Sequence, residues 1–159
     1  IEIANYLNNV SEGRLSSESK LEIRGMLREV TEIESIGDSC YNLARTINRK
    51  RSGGNDFTEK QYEHIHQMMQ LTDDALAQMI AIVEDDYHVV DVNKTFNLEN
   101  EINNYRAQLK NQNVVDVNNK EYDYQMGVHY MDLIGECEKL ADYVVNVVEA
   151  RTNVKEKKA

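Results

Sequence analysis

The chain has 159 residues and not one of them is proline. No other feature constrains the fold as much. Loop-rich folds use proline to set their turns, and helix interiors exclude it. Between the turn signals, apolar residues recur at alternating spacings of three and four, the period of a helix face. From about Ser17 to Lys50 this seam is Ile23, Met26, Val30, Ile33, Gly37, Cys40, Ala44 and Ile47. From Phe57 to about His88 it is Tyr62, Ile65, Met69, Thr72, Leu76, Met79, Val83 and Tyr87. From about Lys120 to Arg151 it is Met126, Tyr130, Leu133, Cys137, Leu140, Val144 and Val147.

Two shorter helices complete the pattern. Residues 1–10 place Ile3, Tyr6, Leu7 and Val10 on one face, and Asp91 to Asn111 turns Phe96, Ile102, Tyr105 and Leu109 inward. Gly13 is suited to a helix C-terminus and Ser16, Ser17 and Ser19 to the start of the next helix. Arg49-Lys-Arg before Gly53-Gly54 suits the negative end of a helix dipole; a phosphate- or lipid-facing basic patch is the functional alternative there. A polar turn is expected near Asn111–Asn119, and the terminal Lys-Glu-Lys-Lys-Ala is expected to fray. The fold class is therefore all-α, built of long antiparallel helices.

The net charge of −10 repels nucleic acid and anionic lipid surfaces, so neither is expected as a partner. No run of apolar residues reaches the length of a membrane span, and no secretory signal opens the chain. Cys40 and Cys137 both lie on apolar stripes and read as buried, reduced thiols of a cytosolic protein.

One nine-residue pattern occurs twice. Glu34-Ser-Ile-Gly-Asp38-Ser-Cys-Tyr-Asn42 and Glu138-Lys-Leu-Ala-Asp142-Tyr-Val-Val-Asn146 share Glu-x-x-small-Asp-x-x-x-Asn, each inside a long helix. Positions four apart stack on one helix face, and two stacked carboxylates repel by roughly 0.2–0.5 kcal/mol. Writing that repulsion twice implies something set against it. Glu34 and Asp38 each follow a core position by one residue, so they are expected at the edge of the buried face. The small residue, Gly37 or Ala141, would let a neighbouring helix approach closely. The upstream stretches Glu2-Ile-Ala-Asn-Tyr6 and Glu101-Ile-Asn-Asn-Tyr105 also match. The chain then reads as two three-helix repeats, 1–54 and 55–159, the first lacking its opening helix. With Ile1 in place of an initiating Met, a piece of a longer protein is expected.

Carboxylate-rich, imidazole-poor sets suit hard cations. Glu34, Asp38, Glu138 and Asp142 are the candidate metal ligands, with Asn42, Asn146, Glu99 and Glu101 as further oxygen donors or hydrogen-bond partners. Equally, a chain with 28 acidic residues has chance pairs four apart, and any one of them is usually a solvated face.

Glu34-Ser-Ile-Gly-Asp38-Ser-Cys-Tyr-Asn42-Leu-Ala-Arg45 resembles the signature of PhoU-like domains, and Glu138 to Val147 matches it more loosely, with Leu140-Ala141 in place of Ile-Gly. The resemblance implies tandem three-helix bundles, metal clusters of iron or similar ions at the Glu-x-x-x-Asp pairs, and regulation of phosphate uptake in place of catalysis. In particular it suggests the C-terminal PhoU-like domain of bacterial sodium/phosphate cotransporters. That implies a membrane-spanning transporter domain of the same polypeptide as partner and a place on the cytoplasmic side of the inner membrane. A freestanding phosphate-uptake regulator and a structural helical-bundle adaptor without metal are the competing readings. Self-association into a homodimer is expected through the apolar face that the absent helix would leave open.

A di-iron carboxylate site is disfavoured. Glu63-x-x-His66 and Asp85-x-x-His88 fall on one continuous helix, 22 residues and roughly 33 Å apart, and cannot share an ion. His64, His66, His88 and His129 read as surface or boundary residues. No Gly-rich phosphate loop or nucleophile elbow is present, so no enzyme activity is expected.

Overall fold

The computed structural model describes residues 2–84 and 91–156, with side chains as far as Thr152. Five helices follow one another: α1 (Glu2–Ser11), α2 (Ser17–Ser52), α3 (Glu59–Glu84), α4 (Val92–Asn118) and α5 (Tyr124–Glu156). Tyr87, His88 and the expected last turn of α3 lie outside the described residues, as do residues 157–159 at the chain end.

Local chemistry sets the boundaries. Ser16 Oγ accepts the Ser19 N–H at 3.1 Å and starts α2. Thr58 and Gln61 satisfy each other's backbone N–H groups at 3.0 and 3.2 Å, a capping box that opens α3. Asp91 Oδ1 accepts the Asn93 N–H at 3.0 Å and starts α4. At the far end of α2, Gly54 takes a φ of 79°, which a side chain would resist.

The expected turn at 111–119 is displaced. α4 continues through Asn118, and the chain reverses over residues 119–123, with Lys120 left-handed at a φ of 61°. Asn111–Asn118 reads as a turn by composition, yet its Asn113 and Val117 sit against Gly127 of α5. Tertiary packing has overridden weak propensity. In the matching stretches Glu2–Tyr6 and Glu101–Tyr105, Tyr105 lies about two turns farther from its helix end than Tyr6 does.

α5 is the hub, because α2, α3 and α4 all pack along it, whereas α1 packs on α2 alone. His64 meets Tyr130 and Arg151 reaches the Val83 carbonyl, so α3 runs parallel to α5. Arg106 meets Glu138 while Val117 meets Gly127, so α4 runs antiparallel to it. The α5 stripe is buried as its spacing predicts: Met126, Tyr130, Leu133, Cys137, Leu140, Val144 and Val147 all lie in the core, joined by Ile134 and Val148. Each such aliphatic side chain contributes about 1.5–3 kcal/mol. In α3 Ile65, Thr72 and Met79 are buried as expected, whereas Met68, Ala75 and Ile82 are buried in place of their neighbours Met69, Leu76 and Val83, which are half-buried, and Tyr62 is exposed.

α2 departs most from expectation. Ile23, Ile36 and Ser39 are buried against its neighbours, but Met26, Ile33, Gly37, Cys40, Ala44 and Ile47 are exposed. Among the described residues α5 and the short α1 are what packs along α2, on the adjoining face, with α3 reached only at its end through Lys50 and Tyr62. Cys40 is consequently an exposed thiol, contrary to expectation, while Cys137 is buried as expected. In α1, Leu7 is buried but Ile3, Tyr6 and Val10 are exposed for the same lack of cover.

Candidate functional site

The two motif helices are neighbours. Asn42 Nδ2 of the first copy donates to Glu136 Oε1 at 3.3 Å, and Asn146 Nδ2 of the second donates to Glu32 Oε2 at 3.1 Å. The shift in numbering that carries Glu34 onto Glu138 also carries Asn42 onto Asn146 and Glu32 onto Glu136. Each copy therefore gives its asparagine to the glutamate lying two residues before the other copy's motif. Arg28 bonds Glu149 at 3.2 Å and Arg151 approaches Glu29 at 3.6 Å. As α2 is followed forwards its partners on α5 run backwards, so the pair is antiparallel. The duplicated motif thus becomes a local two-fold exchange of hydrogen bonds.

The asparagine partner glutamates were not among the candidates read from the sequence. A signal for them existed: the same repeat that relates the motifs also relates Glu32 and Glu136. It was hidden because neither lies inside the nine-residue pattern.

The carboxylates of the two copies fare differently. Glu34 and Asp38 are exposed on α2, not at the edge of a buried face, and nothing lies within 4 Å of where a Cβ on Gly37 would stand. The close helix approach expected at Gly37 is therefore absent among the described residues. Its counterpart Ala141 is buried in the core. Glu138 is half-buried, with its carboxylate 3.6 Å from Arg106 Nε of α4. Burial raises its pKa, the guanidinium of Arg106 opposes that rise, and Asp142 and Glu99 add to it. Partial burial likewise raises Asp142, again against the pull of Arg106. Glu99 accepts from Asn103 Nδ2 at 2.5 Å one turn along α4, while Glu101 is exposed.

These residues do not fit a resident metal cluster. Hard cations take six or more oxygen ligands. Among the described residues no three His, Cys, Asp or Glu side chains converge closely enough to hold one ion. At Glu138 the counter-charge comes from Arg106, a cation within the fold.

Asn42, Arg45, Arg49, Arg106, Asp132, Glu136, Glu138 and Lys139 line a groove of about 420 Å³ between α2, α4 and α5. Its cations come mainly from α2 and α4 and its carboxylates from α5, which suits contact with a polar protein surface more than a dry reaction chamber. A second cavity, of about 590 Å³, opens at the end of α2. Lys50, read from sequence as a dipole-capping cation, turns inward beside it. Its Nζ pairs with Asp56, donates to Tyr62 Oη at 2.9 Å and lies 4.7 Å from the Phe57 ring centroid. Asp56 accepts from Lys50 and also from the Tyr62 hydroxyl, and these two hydrogen bonds hold it down at a pKa of about 2. His64 Nδ1 lies 2.9 Å from Tyr130 Oη, and burial lowers its pKa. Among the described residues no helix is long and apolar enough to cross a membrane.

Fold and site together define an all-α bundle in which two copies of an acidic motif interlock across one antiparallel helix pair. The model of the PhoU domain matches residues 65–150, more than half of the chain, and the chain belongs to that family. The match holds the second motif copy and the core formed by α3, α4 and α5. No curated protein and no solved structure matches the chain.

Proposed function

We propose that this chain is a non-catalytic regulatory domain acting on phosphate transport, built of two repeats, residues 1–54 and 55–159. The observation that carries the reading is the reciprocal Asn42–Glu136 and Asn146–Glu32 pairing, which puts the repeat to use within a member of the PhoU domain family. Regulation by contact is the mode that suits a hub helix on which α2, α3 and α4 all pack. The finer reading makes the domain a part of a sodium-dependent phosphate cotransporter, on the cytoplasmic side of a bacterial inner membrane, with the transporter's membrane-spanning portion as its partner. The freestanding regulator differs only in the absence of that portion.

Phosphate uptake in cells lacking the native gene, complemented with wild type or with Asn42→Ala/Asn146→Ala, tests the role. Wild type is expected to restore the difference in uptake between phosphate-rich and phosphate-poor medium, and the variant to restore less of it. Uptake that never depends on the chain would remove phosphate transport from its function and leave the adaptor reading. A metal-bound form, with iron or a similar ion at Glu138 and Asp142, would need Arg106 to yield and water or a partner to supply further oxygens. Elemental analysis of wild type against Glu138→Ala/Asp142→Ala decides it: metal bound in stoichiometric amount by wild type and lost in the variant would establish that form.

A further inference from the structure

Beside the second motif copy, α4 presents Glu99, Asn103 and Arg106, spaced four and three apart and so on one face of that helix. These three and Glu138 are half-buried, while Asp142 stands at the outer edge. Glu99 accepts from Asn103 Nδ2 at 2.5 Å, and Arg106 Nε lies 3.6 Å from Glu138 Oε2. The positive charge of Arg106 acts on Asp142 as well as on Glu138, and Glu99 adds a further negative charge near Glu138. Three carboxylates and one guanidinium therefore share this cluster. Lys139 also acts on Glu138, but its side chain is 60% exposed and approaches Glu136 at 3.5 Å.

Arg106 acts here through its charge. Its Nε is buried and makes no hydrogen bond among the described residues, so the approach to Glu138 is an ion pair and not a short hydrogen bond. Gly135, three residues before Glu138, leaves the space beside it open: a Cβ there would stand 4.0 Å from Arg106 Nε, and a longer side chain would reach the guanidinium. A guanidinium keeps its proton at every physiological pH. Being tethered, it is also present at a high effective concentration, against which an ion must compete from solution. A hard cation draws on the same thing that Arg106 already uses, negative charge gathered on oxygen.

We propose that Arg106 is the built-in cation of this motif copy: it fills the role a metal ion would have there, and makes the motif a metal-independent clamp of α4 on α5. Without Arg106, Glu99, Glu138 and Asp142 keep their charges and lose their internal counter-ion, and a divalent cation can replace it. The proposal rests on the geometry of this cluster and not on a role in phosphate transport, so a cation titration decides it whatever an uptake assay gives.

Mn²⁺ is the probe, because the paramagnetic resonance signal of the free ion disappears on binding. It is titrated into wild type, Arg106→Gln, Arg106→Lys, Glu138→Gln/Asp142→Asn and Arg106→Gln/Glu138→Gln/Asp142→Asn, with thermal unfolding in EDTA and in Mn²⁺ alongside. Arg106→Gln is expected to bind Mn²⁺ at least tenfold more tightly than wild type. The gain should be absent in Arg106→Lys, which keeps the charge, and in the triple variant, which lacks two carboxylates. Wild-type Tm should be the same in EDTA and in Mn²⁺. Equal Mn²⁺ affinity in wild type and Arg106→Gln would overturn the proposal. So would stoichiometric binding by wild type that Glu138→Gln/Asp142→Asn abolishes, since the ion would then displace Arg106. Should Arg106→Gln be unfolded in EDTA, its circular dichroism on adding Mn²⁺ is the readout: recovery supports the proposal and no recovery overturns it.

Discussion

Removing the asparagine amides tests whether the two motif copies interlock as described. Asn146→Ala deletes the donor to Glu32, and Asn42→Ala deletes the donor to Glu136. A hydrogen bond to a charged group contributes about 1.5–3 kcal/mol. Both pairs are half-buried, so water competes and about 1 kcal/mol each is expected. The two should not be equal. Glu136 keeps Lys139 at 3.5 Å when Asn42 is removed, and that second cation softens the loss. Asn146→Ala should therefore cost more than Asn42→Ala, and the double variant about 2 kcal/mol, which lowers Tm by about 4–8 °C for a chain of this size. Urea unfolding followed by circular dichroism at 222 nm measures it, with Asn146→Ala/Glu32→Ala and Asn42→Ala/Glu136→Ala closing two double-mutant cycles. Coupling below about 0.3 kcal/mol in both cycles would refute the interlock, because non-interacting sites reach that value.

Two of the helix glycines, Gly127 of α5 and Gly37 of α2, make opposite predictions. A Cβ on Gly127 would stand 2.9 Å from Val117 Cγ2, so Gly127→Ala should destabilise by about 1–3 kcal/mol, whereas Gly37→Ala meets nothing and should stabilise by about 0.5–1 kcal/mol in the same urea titration. Tyr130→Phe removes the hydroxyl that meets His64 in the core and should cost about 1 kcal/mol at neutral pH, checked by thermal unfolding. Burial raises the Glu138 pKa in the folded state, so its contribution is fully present below the unfolded value and is lost as pH rises through the folded one. Glu138→Gln is flat over that window, so the stability difference should move in favour of the variant as pH rises from about 4 through the raised folded value. A difference that is constant, or that moves the other way, contradicts the burial argument.

How much was legible in the sequence varies by helix, for a reason α5 and α2 show together. Both carry a seam at three and four spacing. On α5 the seam is the core, because α2, α3 and α4 surround that helix and any apolar face meets a neighbour. On α2 it faces outward, because periodicity reports which residues share a face and says nothing about what stands opposite it. The site divides in the same way. The pattern Glu-x-x-small-Asp-x-x-x-Asn and its duplication could be read directly, yet the partners of its asparagines could not. Glu32 and Glu136 become partners only through the antiparallel register of α2 on α5, a relation between residues about a hundred positions apart.

Sequence by itself determined that the chain is helical, where most of its helices lie, and that one acidic motif is written twice; lack of proline, apolar period and spacing are properties of the chain read locally. Tertiary structure decided which faces are covered, that α4 continues two turns past its expected end, that Cys40 is open and Cys137 closed, and that Arg106 answers Glu138. Those outcomes depend on which helices become neighbours. Burial, electrostatic pairing and close approach are energies between segments, and no single segment carries them.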